Sequence, residues 1–493
     1  MVRVLACRVL RLDRLTDASK TLKSISISGV ASIATKGISA LASLWIVTLI
    51  DPTKMGAITL GVAIYGILAI FKDFGLTTAV ISKHDITDEF LSSANSLRIV
   101  ISSALLAISV LFSYILPTLF GIPELREMML IIGASIFIEA IGFLSYALLN
   151  RNLEFKKLAR IDITSSLAMF STVVVVALLG LPMFAVFFGL VASSSTKTGI
   201  LLLFYTPKIK FVSWTFANRG LILFGAKLVS VGVVVTLWFS MNVFVLGAIN
   251  IAALGFYGLA YQWAVTPADI SSGTINRVML PTYSALIRGS KPVFAGYMHT
   301  LRFLFVASFG VFVFLFFASP MLIRTLYNPS WEPTIPILLV LLIFALGRTL
   351  LEPAGSLILS LQRPGIILWT NMLNLALVSI FIFPVVGSYG ATGCAALLAA
   401  VYLLHTCILW FIVLRIFQQS PKILIASIAR PLIAASIALV IGMMIAFATS
   451  GIFWDLAALL IVTSAYLGLM YLIARKDLLQ TLRYVGHAFG SHR

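Results

Sequence analysis

The chain has 493 residues, 60% hydrophobic and 11% charged, with 35 Lys and Arg against 17 Asp and Glu for a formal charge of +18. A soluble domain averages about 25% charged residues, so a chain with a mean hydropathy of +1.08 is excluded as a soluble, disordered, fibrous or disulfide-stapled protein. It reads as an all-α polytopic membrane protein, whose basic surplus belongs to cytoplasmic loops rather than to nucleic acid.

Residues 1–23 carry Arg3, Arg8, Arg11 and Arg14 among Val and Leu and read as a cytoplasmic, membrane-grazing segment. A spanning helix needs about 20 apolar residues, and punctuation by charges, Pro and Gly places fourteen candidates in the remainder. They run over 24–50, 56–81, 90–116, 127–149, 161–180, 182–206, 220–249, 252–286, 297–325, 333–362, 364–386, 390–416, 421–450 and 452–474. Alternate links hold nearly every base outside the spans, while the opposite links hold only Lys54, Arg126 and Arg324. One miscounted helix in mid-chain would destroy that alternation, so the pattern supports fourteen spans with both termini cytoplasmic. No outer link is long enough for a catalytic domain.

A faint repeat suggests the domain plan. Lys36 lies in span 1 and Gly56 opens span 2, which ends in Lys72-Asp73-Phe74-Gly75; Lys227 lies in span 7 and Gly255 opens span 8, with Asp269 and Gly273 near its inner end. Two six-helix lobes follow: 24–206, then a cytoplasmic linker 207–219, then 220–416. Two further helices occupy 417–474 and a cytoplasmic tail 475–493.

No P-loop, H-E-x-x-H, G-x-S-x-G or Cys/His cluster occurs, so no catalytic residue, metal or cofactor is expected and the chain reads as a non-enzyme. Cys7, Cys394 and Cys407 read as packing thiols. His405 lies inside a span, where a satisfied interior histidine outweighs a proton relay. The informative residues are eight bases inside spans: Lys36, Lys72, Arg98, Lys197, Lys227, Arg277, Arg348 and Arg430. Charges at such depth are costly and usually paired or used.

Lys36, Arg98, Lys227, Arg277 and Arg348 are the candidate substrate-binding cations, Lys36 and Arg348 lying nearest mid-helix. Lys72, Lys197 and Arg430 read as residues reaching the inner headgroups. Asp73, Glu139, Asp269 and Glu352 are the candidate coupling or gate acids. Arg348 and Glu352 are spaced i,i+4 and can neutralise each other. Glu139 has no partner in its own helix, and reads as either a titrating group or a neutral, hydrogen-bonded acid. The excess of buried cations points to an anionic headgroup, phosphate or pyrophosphate, rather than to an organic cation.

Several stretches carry a family resemblance. Leu49-Ile50-Asp51-Pro52-Thr53-Lys54-Met55-Gly56 and Phe71-Lys72-Asp73-Phe74-Gly75-Leu76 resemble the opening of Wzx-type polysaccharide transporters of the multidrug/oligosaccharidyl-lipid/polysaccharide (MOP) exporter superfamily. Asn150-Arg151-Asn152-Leu153-Glu154-Phe155 is similar to that family's loop after the fourth helix. Gly255-Phe256-Tyr257-Gly258-Leu259-Ala260-Tyr261 with Asn276-Arg277-Val278-Met279-Leu280-Pro281 resembles its eighth helix, and Trp331-Glu332-Pro333 through Glu352-Pro353-Ala354-Gly355-Ser356 to Leu361-Gln362-Arg363-Pro364 its tenth.

The resemblance implies two six-helix lobes in a V with two C-terminal helices appended. It implies flipping of undecaprenyl-pyrophosphate-linked oligosaccharide units across the cytoplasmic (inner) membrane for cell-surface or exopolysaccharide assembly, by alternating access through a cationic central cavity. The implied partners are the lipid-linked oligosaccharide, membrane lipids, a polymerase and a chain-length regulator. Two alternatives stand beside it. A drug/cation antiporter of the same superfamily would have acid-dominated cavities, and a membrane polysaccharide polymerase would need a large outer loop or a catalytic constellation.

Overall fold

The computed structural model describes residues 35–39, 41–82, 86–152, 154–205, 219–289, 292–448 and 451–490. Among them the regular structure is helical throughout, as lipid requires of a chain whose backbone groups find no water to bond. Among the described residues ten helices are long and apolar enough to cross a membrane, or eleven when the bent pair Leu125–Ile141 and Phe143–Arg151 is taken as one span. The all-α polytopic expectation is borne out.

The helix Pro364–Ile416, at 53 residues, would be about 80 Å long if straight, far beyond the ~30 Å hydrocarbon core. It folds back on itself at Gly390, whose φ of 58° and ψ of −143° lie outside the helical region. The Asn374 side chain bonds His405 Nδ1 at 2.8 Å, a contact that a straight helix would hold apart by about 46 Å. The helix is therefore two antiparallel spans, matching 364–386 and 390–416. The helix Ile251–Arg288 occupies the eighth expected span without being one of the ten, because Tyr257, Tyr261, Gln262 and Trp263 dilute its hydropathy.

The chain divides into two compact units, one of residues 1–50 and 57–240, the other of residues 51–56 and 241–493. In the first, buried side chains such as Leu125, Met128, Ile132 and Phe187 fill the interior, whereas Leu178, Leu179, Leu203 and Phe204 face outward, as a lipid-exposed surface demands. A smaller cluster joins Leu76, Val80, Phe90, Ala94 and Phe143.

In the second unit the core is aromatic and aliphatic, with Tyr283, Tyr297, Phe305, Trp410 and Tyr466 at its centre. The helices Pro421–Ala448 and Ile452–Gly490 belong to this core through Ala434, Ala438, Val462 and Tyr466. Tyr466 Oη donates to the Val306 carbonyl at 2.7 Å, fixing the last helix to Val293–Leu326. At the start of the Ile251–Arg288 helix, a Cβ on Gly255 would overlap the Pro52 carbonyl and one on Gly56 the Ile251 carbonyl. The two glycines that the repeat aligns thus meet at one crossing, each admitting the other's backbone.

Candidate functional site

In the first unit two spans break, and the breaks carry the charges. The helix Pro52–Asp73 stops where Phe74 and Gly75 take positive φ (45° and 67°), and Leu76–Ser82 resumes beyond them. Gly75 adopts this conformation without strain, whereas Phe74 is held there by its surroundings. The second break follows Ile141, where Leu125–Ile141 and Phe143–Arg151 meet at 52°. A Cβ on the intervening Gly142 would lie 3.1–3.3 Å from Leu201 and Thr198, so the Pro182–Phe204 helix presses directly on this bend. Arg151 Nη1 donates to the carbonyls of Val80 (2.9 Å) and Ile81 (3.1 Å), satisfying the end of the short resumed helix.

Lys72, the penultimate residue before the first break, places Nζ 2.6 Å from Glu139 Oε2, which lies just before the second. Lys72 also donates to Tyr65 Oη at 3.3 Å. Asp73 accepts from Thr77 Oγ1 at 2.5 Å, across the turn. A second pair lies nearby: Lys197 Nζ is 3.8 Å from Asp162 Oδ1 and 3.8 Å from the centroid of the Tyr146 ring. Tyr146 Oη in turn donates to Asp162 Oδ2 at 3.3 Å.

Arg98 is 3% exposed, stands 5.6 Å from the Phe143 ring centroid, and leaves Nε and Nη1 without hydrogen-bond partners. Discontinuous helices with charged breaks are where transporters place their binding residues.

In the second unit Arg348 Nη2 lies 2.5 Å from Asp269 Oδ1, joining Thr334–Ser360 to Ile251–Arg288. Tyr261 acts electrostatically on the same guanidinium, and Glu352 lies one turn further along the Arg348 helix, just before Pro353. His405 is fully engaged: Nδ1 meets Asn374 and Nε2 meets Thr370 at 3.1 Å. It is the satisfied interior histidine of the sequence reading.

The structure brings together some of the candidate residues and not others. Arg348 and Asp269, chosen separately, form one pair, so Arg348 has a close carboxylate on another helix in addition to Glu352 at i,i+4. Glu139 finds its partner across 67 residues in Lys72. Lys36 is exposed, and the side chains of Lys227 and Arg277 lie outside the described residues. Sequence reasoning assigned Lys72 and Lys197 to the headgroups, whereas both are ion-paired inside the unit. The signal that could have found them is the near balance of Lys72, Arg98 and Lys197 against Asp73, Glu139 and Asp162 within one lobe. These pairings give Lys72, Lys197 and Arg348 a carboxylate each and leave the net surplus of bases over acids unchanged.

A sequence profile described as "Polysaccharide biosynthesis protein" matches residues 46–336, more than half of the chain. The chain belongs to the polysaccharide biosynthesis protein family. Its resemblance to the Wzx-type transporters is thereby borne out, and named relatives agree. The chain is 23% identical over 403 residues to the lipopolysaccharide biosynthesis protein WzxC of Escherichia coli, covering 80% of this chain and 81% of that one. It is 26% identical to the teichuronic acid biosynthesis protein TuaB of Bacillus subtilis, over 68% of this chain and 69% of that one.

Among solved structures, the lipid II flippase MurJ in an inward closed conformation superposes with a TM-score of 0.76 at 16% identity, over 92% of this chain and 99% of MurJ. An inward-facing multidrug resistance transporter of the MATE family, in the MOP superfamily, gives 0.65 at 13% identity, over 76% of this chain and 93% of that one. At such identities the superpositions establish that this family member shares their fold.

Proposed function

We propose that this protein flips undecaprenyl-pyrophosphate-linked oligosaccharide units from the cytoplasmic to the outer leaflet of the inner membrane, for cell-surface or exopolysaccharide assembly. The observation that carries the reading is the family match over 46–336 together with relatives named for building such polymers. The broken, charged spans support it, since a lipid with an anionic headgroup needs polar groups at membrane depth. In this reading the lobes 24–206 and 220–416 alternate access, with both termini cytoplasmic, and a polymerase and chain-length regulator receive the product. Of the cations expected from the sequence, Lys36, Lys227, Arg277 and Arg348 are the proposed headgroup contacts, joined by Lys72 on its broken span, while the buried Arg98 serves an acid of its own lobe. Asp73, Glu139, Asp269 and Glu352 are the acids that compete with the headgroup for cations.

The test is a strain lacking this chain, in which lipid-linked units are quantified on each leaflet beside exported polymer. Units trapped inside with export abolished support flipping, and units that reach the outer leaflet unpolymerised overturn it. The fold shared with a multidrug transporter gives a second reading, drug or cation antiport. That reading predicts drug hypersensitivity of the same strain with polymer export intact.

A further inference from the structure

We propose that Arg98 is the reserve cation of Glu139: when an anionic headgroup takes Lys72, the Glu139 carboxylate turns to Arg98 and stays ionised without taking up a proton. The inference rests on the lipid-pyrophosphate reading above and concerns how one lobe pairs its charges during that cycle.

A guanidinium keeps its charge at any working pH, and burying it without partners is costly. Yet Arg98 is 3% exposed with Nε and Nη1 unpaired. One turn to either side on the same face of Asp88–Phe120, Asn95 Oδ1 and Ser102 Oγ are likewise buried without partners. Hydrogen-bonding capacity is therefore vacant around this guanidinium, which stands 5.6 Å from the ring centroid of Phe143, four residues beyond Glu139, and acts electrostatically on that carboxylate.

The groups around Glu139 decide which cation can receive it. Lys72 and Tyr65 stand on Pro52–Asp73, Arg98 on Asp88–Phe120, and Lys197 on Pro182–Phe204; Asp162, on Phe155–Leu178, also acts on Glu139. Asp73, at the end of the Lys72 helix, acts on Arg98. Lys197 is engaged by Asp162 and Tyr146. Of the bases acting on Glu139 among the described residues, Arg98 is the one that makes no ion pair and whose open donors are buried. Asp73, the other acid acting on Arg98, has one oxygen engaged by Thr77.

The pair itself is open to exchange, its side chains being 16% exposed at Lys72 and 25% at Glu139. A doubly charged headgroup oxygen cluster is a stronger partner for an ammonium than a single carboxylate. A carboxylate stripped of its cation at this depth takes a proton instead. A waiting guanidinium removes that requirement, so binding in the native protein leaves the proton balance unchanged.

The experiment uses the purified full-length protein with a polyprenyl pyrophosphate as probe, titrated calorimetrically at pH 7 in two buffers of different ionisation heat. Wild-type protein is expected to bind with no proton uptake. Arg98→Gln is expected to bind about tenfold more weakly and to take up about one proton per lipid. In a Glu139→Gln background, where no carboxylate needs a cation, adding Arg98→Gln is expected to leave affinity unchanged. That comparison carries the test should Arg98→Gln alone fail to fold, and a purely structural Arg98 would weaken binding in both backgrounds.

Proton uptake by the wild type, proton-free binding by Arg98→Gln, or an affinity loss in the double variant each overturns the role of Arg98 alone. Wild-type protein that does not bind the probe overturns the flippase reading, and this role with it.

Discussion

Breaking the contact between Lys72 and Glu139 should show as coupled losses of stability. At 2.6 Å an effective dielectric of about 20 gives roughly 6 kcal/mol of Coulomb attraction. Desolvation of the two charged ends offsets most of it, leaving a net coupling of about 1–3 kcal/mol. Glu139→Gln strands Lys72 in a region that also holds Arg98, at a cost of about 2–3 kcal/mol once partial exposure is allowed for. Lys72→Met costs about half as much, because Arg98 remains near the carboxylate. At roughly 2 °C per kcal/mol for a protein of this size, the apparent Tm should fall by about 4–6 °C for Glu139→Gln and about 2–3 °C for Lys72→Met. The double variant should fall no further than Glu139→Gln alone. The assay is thermal unfolding in detergent at one fixed scan rate, beside complementation of polymer export. Single effects that add in the double variant to within about 0.5 kcal/mol would refute the pairing.

Asp269→Asn should abolish or strongly reduce export at normal protein levels and lower the apparent Tm by several degrees, because it leaves the Arg348 guanidinium without its 2.5 Å carboxylate; undiminished export together with an unchanged melting curve would count against that pair. Cysteines at Asn374 and His405, in a background without native cysteines, should be joined by a short bifunctional thiol reagent; failure to cross-link in native membranes would contradict the fold-back at Gly390. His405→Leu should cost about 1–3 kcal/mol by stranding Asn374, while Thr370 keeps its bond to the Ile367 carbonyl, with export per folded molecule preserved; export lost at normal stability would make this histidine functional. Gly255→Leu should reduce folded protein, measured by fluorescence-detected gel filtration of a tagged chain, because its side chain collides with the Pro52 carbonyl.

Much of the architecture was legible because the bilayer reads sequence as coarsely as a hydropathy window does. From residue 56 onward each expected span falls on a helix, since a run of about 20 apolar residues has no other low-energy state in lipid. The breaks in the second and fourth spans were less legible. Phe71-Lys72-Asp73-Phe74-Gly75 announced a helix end through its glycine, but Gly142 lies in an apolar run with no sign of a 52° bend. The bend sits where Thr198 and Leu201 approach Gly142 closely, a contact that no local pattern encodes.

The sequence by itself determined a helical, membrane-spanning chain, the approximate limits of its spans, a basic bias to alternate links and membership of a polysaccharide-building family. These follow from composition, from the fixed thickness of lipid and from motifs contiguous in the chain. Only the tertiary structure decided that Glu139 meets Lys72 across 67 residues, that Asp269 closes on Arg348 from another helix, that Lys197 is held by Asp162 and Tyr146, and that Arg98 is buried with open donors. The physical reason is geometric. An ion pair forms where two side chains of different helices coincide in depth and rotation, and those are set by packing between helices, to which the hydropathy of either helix alone is indifferent.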